Sequence, residues 1–318
     1  MQNTPKEWSL IDRIRYRVQR QNDHTKVPLG DDAFVFRNYP GYSVICQDMM
    51  VEGVHFDLDY FSAFDLGYKS LAVNLSDIAA MGALPHFAQV SLALPKKLNE
   101  SWLDDFYKGM TSLADDYHMQ VAGGDLAASP DRLVVDVSVH GSCENPLTRK
   151  GAKPGDLLLC SGPLGLSFTG MTALQKNLAG FEAAKERHLR PKPRLDLVAK
   201  LQKHHDRIHA LMDCSDGLVN DALLLRPENC GFHLFAENLP LHPESQSLAV
   251  DLHLNPQDIV LWGGEDYELL MAIHPEDYEH FPEWKMIGQF TEDPRVFVTH
   301  PDHHEEIKEF KGWKHFPG

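Results

Sequence analysis

The tightest constraint in this chain is the alternation of residues 132–140: Leu133, Val135, Val137 and Val139 fall on one face, and Arg132, Asp136, Ser138 and His140 on the other. A period of two specifies a strand with one apolar face, and that face has to be covered by another layer. The covering layer is also legible. Leu103, Phe106, Met110, Leu113 and Tyr117 recur at steps of three and four, which predicts an amphipathic helix, and Leu10, Ile11, Ile14 and Val18 predict another over residues 7–20. Short apolar runs predict strands at 33–36, 42–46, 88–94, 119–122, 156–160, 208–212, 232–236 and 269–273, and the Ala- and Leu-rich stretch 65–81 predicts a helix.

Strands and helices mixed in this way specify an α/β (α+β) chain, and no fixed-period repeat points to a solenoid. At 318 residues the chain holds enough sequence for two cores. The turn-rich stretch 145–155, with Pro146, Gly151, Pro154 and Gly155, predicts the boundary, giving an N-terminal domain 1–148 and a C-terminal domain 149–318.

Charge removes several classes of function. Lys plus Arg number 30 against 46 Asp plus Glu, a net charge of −16 that repels nucleic-acid phosphates and anionic lipid. No apolar run is long enough for a membrane helix, and no basic start leads into an apolar segment, so a cytoplasmic protein is expected. Cys46, Cys143, Cys160, Cys214 and Cys230 are odd in number and show no CxxC spacing, so neither a disulfide framework nor a zinc site is expected. His204-His205 and His303-His304 form no ligand motif and read as exposed histidines. There is no GxxxxGK[ST] loop, no GxGxxG, no protein-kinase motif set and no GxSxG elbow.

What remains is the placement of acid. Asp31, Asp32, Asp48, Asp77, Asp125, Asp213, Asp216, Glu265 and Asp266 lie at Gly-flanked or apolar-flanked junctions, with Asp48 expected at a strand end and Asp125 in a Gly-Gly loop after a strand. Asn74 and Asp77, three apart, share one helical face. Converging carboxylates repel one another unless cations neutralise them, and Mg²⁺ characteristically uses a few carboxylates together with substrate phosphates. The residues therefore point to an acidic cluster that binds Mg²⁺ and through it a polyphosphate. Any single Asp beside Gly reads equally as a turn or cap residue. His55 reads as a core histidine or a ligand contact, and Arg149 as a phosphate clamp or an exposed linker side chain.

In order along the chain stand Gly30-Asp31-Asp32-Ala33, Asp48-Met49-Met50-Val51-Glu52-Gly53-Val54-His55-Phe56, Lys69 with Leu75-Ser76-Asp77-Ile78-Ala79-Ala80-Met81-Gly82, and Gly123-Gly124-Asp125. Arg149-Lys150-Gly151-Ala152-Lys153-Pro154-Gly155-Asp156, Asp213-Cys214-Ser215-Asp216-Gly217-Leu218, Gly263-Gly264-Glu265-Asp266-Tyr267-Glu268-Leu269 and Lys311-Gly312-Trp313 follow. This series resembles the thiamine-monophosphate kinase family, within the superfamily of aminoimidazole-ribonucleotide synthetase-like ATP-using enzymes.

The resemblance implies a two-domain aminoimidazole-ribonucleotide synthetase-like fold whose N-terminal sheet pairs across a homodimer. It implies several Mg²⁺ ions on positions matching Asp32, Asp48, Asp77, Asp125, Asp213 and Asp216, with Cys46 and Gln47 beside them. It implies ATP contacts at Tyr107, Gly124, Asp125, Arg149 and Ser215, and thiamine monophosphate contacts at His55, Glu265 and Trp313. An aromatic face such as Trp313 suits a cationic thiazolium ring. Two departures stand out: Cys46-Gln47 replaces two hydroxyl residues before Asp48, and Leu126-Ala127 replaces threonines after Asp125.

The implied reaction is direct transfer of the ATP γ-phosphoryl group to thiamine monophosphate, giving thiamine diphosphate and ADP with no covalent phosphoenzyme. The competing readings are another ATP-using member acting on a different phosphate or amide acceptor, a non-catalytic nucleotide-binding module, and a structural interaction protein.

Overall fold

The computed structural model describes residues 6–18, 23–28, 33–309 and 311–312. It divides into two compact units, one of residues 1–78 and 83–144, the other of residues 79–82 and 145–318.

The first unit contains α1 (Lys6–Arg17), a small β1 (Thr25–Val27) and β2 (Val35–Phe36) pair, β3 (Tyr42–Val51), α2 (Ala63–Ala80, whose last residues belong to the second unit), β4 (Leu84–Pro95), α3 (Glu100–Asp116), β5 (Gln120–Ser129) and β6 (Val134–Cys143). Its four-stranded sheet runs in the order β3-β6-β4-β5, with β4 and β5 parallel and the other pairs antiparallel. The alternation of 132–140 is realised in β6: Val135, Val137 and Val139 are fully buried, and the residues between them are half-buried. α2 covers the inner face, carrying the buried Leu71, Leu75 and Ile78. α3 starts where the Asn99 side chain accepts the Trp102 N–H at 2.9 Å.

Strand pairing extends beyond the sequence expectation in two places. Asp48 lies inside β3, which continues to Val51 because every residue from Tyr42 onward pairs with β6. Gly123, Gly124 and Asp125 lie within β5, held by parallel pairing of Gln89, Val90 and Ser91. The Gly-Gly pair reads as a loop by composition, yet here Gly124 serves close strand packing.

The second unit contains β7 (Leu157–Cys160), α4 (Leu166–Gln175), α5 (Glu182–Leu189), α6 (Val198–Lys203), β8 (Ile208–Cys214), α7 (Leu218–Leu225), β9 (Gly231–Phe235), α8 (Pro243–Leu252), α9 (Pro256–Trp262), β10 (Glu268–Ile273), β11 (Lys285–Thr291), β12 (Val296–Thr299) and β13 (His304–Glu306). Its seven-stranded sheet has the order β13-β12-β9-β11-β7-β10-β8, antiparallel except for β12 with β9. Its central strands β7 and β10 are buried on both faces. Leu158, Cys160, Leu270 and Ala272 enter one core with α7 and α9, while Leu157, Leu159, Leu269, Met271 and Ile273 enter another with Phe281 and Trp284. Central strands covered on both sides read as continuous apolar runs, which is why β7 and β10 are legible without alternation.

Candidate functional site

In the first unit the site residues gather where β3 meets α2. The Cys46 thiol donates to the Asn74 carbonyl at 3.3 Å and lies 3.6 Å from Asn74 Oδ1. Asp48 follows Cys46 by two and so shares its face of the strand, and Asp77 follows Asn74 by one helical turn; both are half-buried. The contact that replaces a hydroxyl at position 46 therefore joins the two elements that carry these carboxylates. Gln47 points the other way, its amide donating to Asp136 Oδ2 at 2.7 Å, so only its backbone remains beside Asp48.

On β5, Gly124 is a steric requirement: a Cβ there would fall 1.7 Å from the Val90 carbonyl oxygen. Asp125, the next residue, is exposed, and its Oδ1 accepts the Leu126 N–H at 2.9 Å. His55 closes the turn after β3. Its Nδ1 accepts the Val51 N–H at 3.0 Å, so the proton of the neutral ring sits on Nε2. Tyr107 is buried on α3, and burial pushes its phenol above the usual range, keeping it a protonated donor.

In the second unit the site forms around the C-terminal end of β8. Asp213 and Cys214 end the strand, Ser215 and Asp216 make the turn, and α7 begins at Leu218. Asp221, in the first turn of α7, accepts the Ser215 and Asp216 N–H groups on one oxygen at 3.0 and 3.1 Å. Burial, with the charges of Asp213 and Asp216, lifts its carboxyl to about 8. Sequence reasoning did not single out Asp221. The available signal was a carboxylate among apolar neighbours, one helical turn beyond an acidic loop.

Segment 263–267 is fastened to the same strand end. Glu265 donates its N–H to the Ser215 carbonyl at 2.7 Å, and Tyr267 donates to the Cys214 carbonyl at 2.9 Å. To do so both residues adopt left-handed backbone, with φ of 63° and 54°. For side-chain-bearing residues this costs on the order of 1–3 kcal/mol each and persists only where the surroundings enforce it. Asp266, between them, is fully buried and accepts the Gly165 and Ser167 N–H groups at 2.5 and 2.9 Å at the start of α4. Burial lifts its carboxyl to about 7. The Thr148 carbonyl takes the Leu211 N–H at 2.9 Å, which lays the segment carrying the exposed Arg149 along β8.

The structure thus joins Asp213, Ser215, Asp216 and Glu265 in one place, and β3 with α2 in another. Asp32 and Trp313, with Gly30 and Asp31, lie outside the described residues. Among the described residues no three His, Cys, Asp or Glu side chains converge as a metal cage, which includes the paired histidines at 303–304. The donor chemistry nevertheless fits Mg²⁺. Asp48, Asp77, Asp125, Asp213 and Asp216 offer hard oxygen atoms, the one thiol among the expected ligands is turned onto Asn74, and Mg²⁺ needs only one or two carboxylates when phosphates complete its shell. No described helix is long and apolar enough to cross a membrane.

Two sheet-and-helix units in this order define a class of protein. Residues 30–143 match the family "AIR synthase related protein, N-terminal domain", and residues 153–301 match "AIR synthase related protein, C-terminal domain". Within that class, the chain belongs to the thiamine-monophosphate kinase family. It is 37% identical to the thiamine-monophosphate kinase of Bacillus subtilis (strain 168), covering 98% of this chain and 99% of that one. It is 35% identical to the corresponding protein of Aquifex aeolicus (strain VF5), covering 98% of each. The solved structure "AaThiL complexed with AMPPCP and TMP" superposes with a TM-score of 0.79 at 34% identity, over 98% of this chain and 97% of that one.

Proposed function

We propose that this protein transfers the γ-phosphoryl group of ATP to the phosphate of thiamine monophosphate, giving thiamine diphosphate and ADP. The observation that carries this reading is the likeness to thiamine-monophosphate kinases along 98% of the chain, both domains included. A relative of the same fold holding AMPPCP and TMP supports both substrates. An oxygen of the acceptor phosphate forms a bond to the γ-phosphorus as the bridging oxygen–γ-phosphorus bond breaks, and ADP leaves with the electron pair. The acceptor is already anionic, so alignment and charge neutralisation do the work and a strong general base is unnecessary.

Bound Mg²⁺ would neutralise the phosphates; the expected ligands are Asp48, Asp77 and Asp125 in the first unit and Asp213 and Asp216 in the second, and by resemblance Asp32. The chain's own residues order the reactants. Gly124 would contact ATP through its exposed backbone, Ser215 and Arg149 would supply donors to it, and the phenol of Tyr107 is kept protonated. His55 offers Nε2–H to thiamine monophosphate, while Glu265 supplies negative charge for its cationic ring. The subunit is proposed to pair with a second copy through its N-terminal sheet. The ten-residue edge strand β3, with Tyr42, Ile45 and Met49 at 63%, 66% and 57% exposure, supports this. Five free cysteines accord with a reducing, cytoplasmic location.

The test is to incubate the purified protein with thiamine monophosphate, ATP and Mg²⁺ and to follow thiamine diphosphate and ADP together, with an EDTA control. Equal formation of both products, abolished by EDTA, is expected. ADP without thiamine diphosphate would refute the acceptor, and neither product would favour a non-catalytic nucleotide-binding module.

A further inference from the structure

We infer that Arg187 is a positioning residue for Glu265, an inference that rests on the proposed role of Glu265 in holding thiamine monophosphate. Glu265 stands in a backbone turn that does not sustain itself, since it and Tyr267 are both left-handed with a buried residue between them. One side of the turn is held by the carbonyls of Ser215 and Cys214. The other side is held by Arg187.

Arg187 Nη1 donates to the Asp266 carbonyl at 3.0 Å and to Glu268 Oε1 at 2.8 Å. The two hydrogens of this one nitrogen therefore span the Asp266–Tyr267 peptide, one residue beyond Glu265, and the first residue of β10. Glu268 makes that grip rigid. Its carboxylate is almost wholly buried and also accepts Ser161 Oγ–H and Arg194 Nη1–H, both at 2.6 Å. Arg194 in turn donates to the Ser161 carbonyl at 2.8 Å and pairs with Asp196. Room for the Glu268 carboxylate exists because residue 162 is glycine: a Cβ there would fall 2.5 Å from it.

The next residue of α5 reaches the same turn from the side-chain end. His188 Nδ1 lies 3.5 Å from Glu265 Oε2 and 3.1 Å from Ser167 Oγ. Consecutive residues of one helix thus address the backbone and the carboxylate of the substrate-binding turn. Arg187 spends its charge on Glu268 and its second hydrogen on the backbone of the turn, so its hold on this segment does not run through the Glu265 carboxylate. A planar guanidinium suits this double donation, and a lysine would satisfy it less well.

The test is steady-state kinetics on the full chain, with thiamine monophosphate and ATP varied separately and melting temperature recorded, for wild type, E265Q, R187M and R187K. E265Q is expected to raise KM for thiamine monophosphate about tenfold or more, and R187M about five- to twentyfold, with KM for ATP within about threefold of wild type and R187K intermediate. If R187M does not fold, R187K decides: a shift confined to thiamine monophosphate supports the inference, and an unchanged KM overturns it. An effect of E265Q with R187M at wild-type KM overturns the positioning role alone. No effect of E265Q removes the substrate role of Glu265 and the inference with it. A parallel fall in kcat, both affinities and melting temperature in R187M, recovered by R187K, would mark a general structural role and overturn the inference.

Discussion

The two sheets of this protein meet opposite surroundings. In the first unit, β6 alternates between buried valines and half-buried polar residues, and one face of the sheet keeps Ile45, Met49 and Gln47 exposed. In the second unit, all six residues of β10 are buried, because helices and loops close both faces. Expected metal-site residues stand along strands of the first sheet, whereas in the second they are pushed to a strand end and its turns. The first sheet carries Cys46 and Asp48 mid-strand on the face that α2 covers, where Asn74 supplies a polar partner in place of an apolar one. A sheet closed by apolar layers on both faces can carry such groups only where the strand runs out.

The largest effect should come from opening the closed sheet. Leu270→Ala, at a position with no exposure, should cost about 2–5 kcal/mol in urea unfolding, whereas Ile45→Ala on the open face should change the stability of the isolated subunit by less than about 0.5 kcal/mol. Comparable losses at both positions would erase the contrast between the sheets.

In the first unit, Asp77→Asn should lower kcat by about a hundredfold or more with an unchanged melting temperature, since it removes one charge from a half-buried position. Near-normal turnover would remove Asp77 from the metal set.

A pH dependence belongs to the closed side. Asp266 moves from an ordinary 3.8 to about 7 on folding, so between those values the folded chain keeps a proton that the unfolded chain has released, and stability falls as pH rises. Relative to D266N, wild type should lose on the order of 2–3 kcal/mol between pH 5 and pH 7. Parallel pH profiles for the two proteins would refute this.

The smallest change in subunit stability is expected from Ile45→Asp, which should nevertheless convert a dimer to monomers in sedimentation. A dimer that survives this substitution would rule out pairing along β3.

Legibility in the sequence follows the same contrast. β6 was readable from its alternation and β10 from its apolar run, because each pattern records which faces are covered. Gly123-Gly124-Asp125 misled as a loop because composition does not reveal that β5 runs parallel to β4 closely enough to exclude a side chain at residue 124. The expected site residues are legible by resemblance, yet the groups that hold them are not. Glu268 meets Arg187 and Arg194 across 81 and 74 residues, and local spacing carries no trace of such a meeting. Nor does it show that Glu265 and Tyr267, neither of them glycine, adopt positive φ. Asp221 was hidden for a related reason: its partners are backbone N–H groups, which every sequence supplies.

The outermost strand of the first sheet has a consequence for how the protein lives in a cell. β3 offers ten residues of backbone with one edge bonded to β6 and the other facing outward, alongside uncovered Ile45 and Met49. Such an edge recruits whatever extended chain it meets. On the proposed pairing through β3 a second copy would cover this edge, and a newly made subunit is then most vulnerable while dilute and alone. The abundance of this protein should for that reason show a threshold, with synthesis below it feeding loss by misassembly and proteolysis more than it feeds active enzyme.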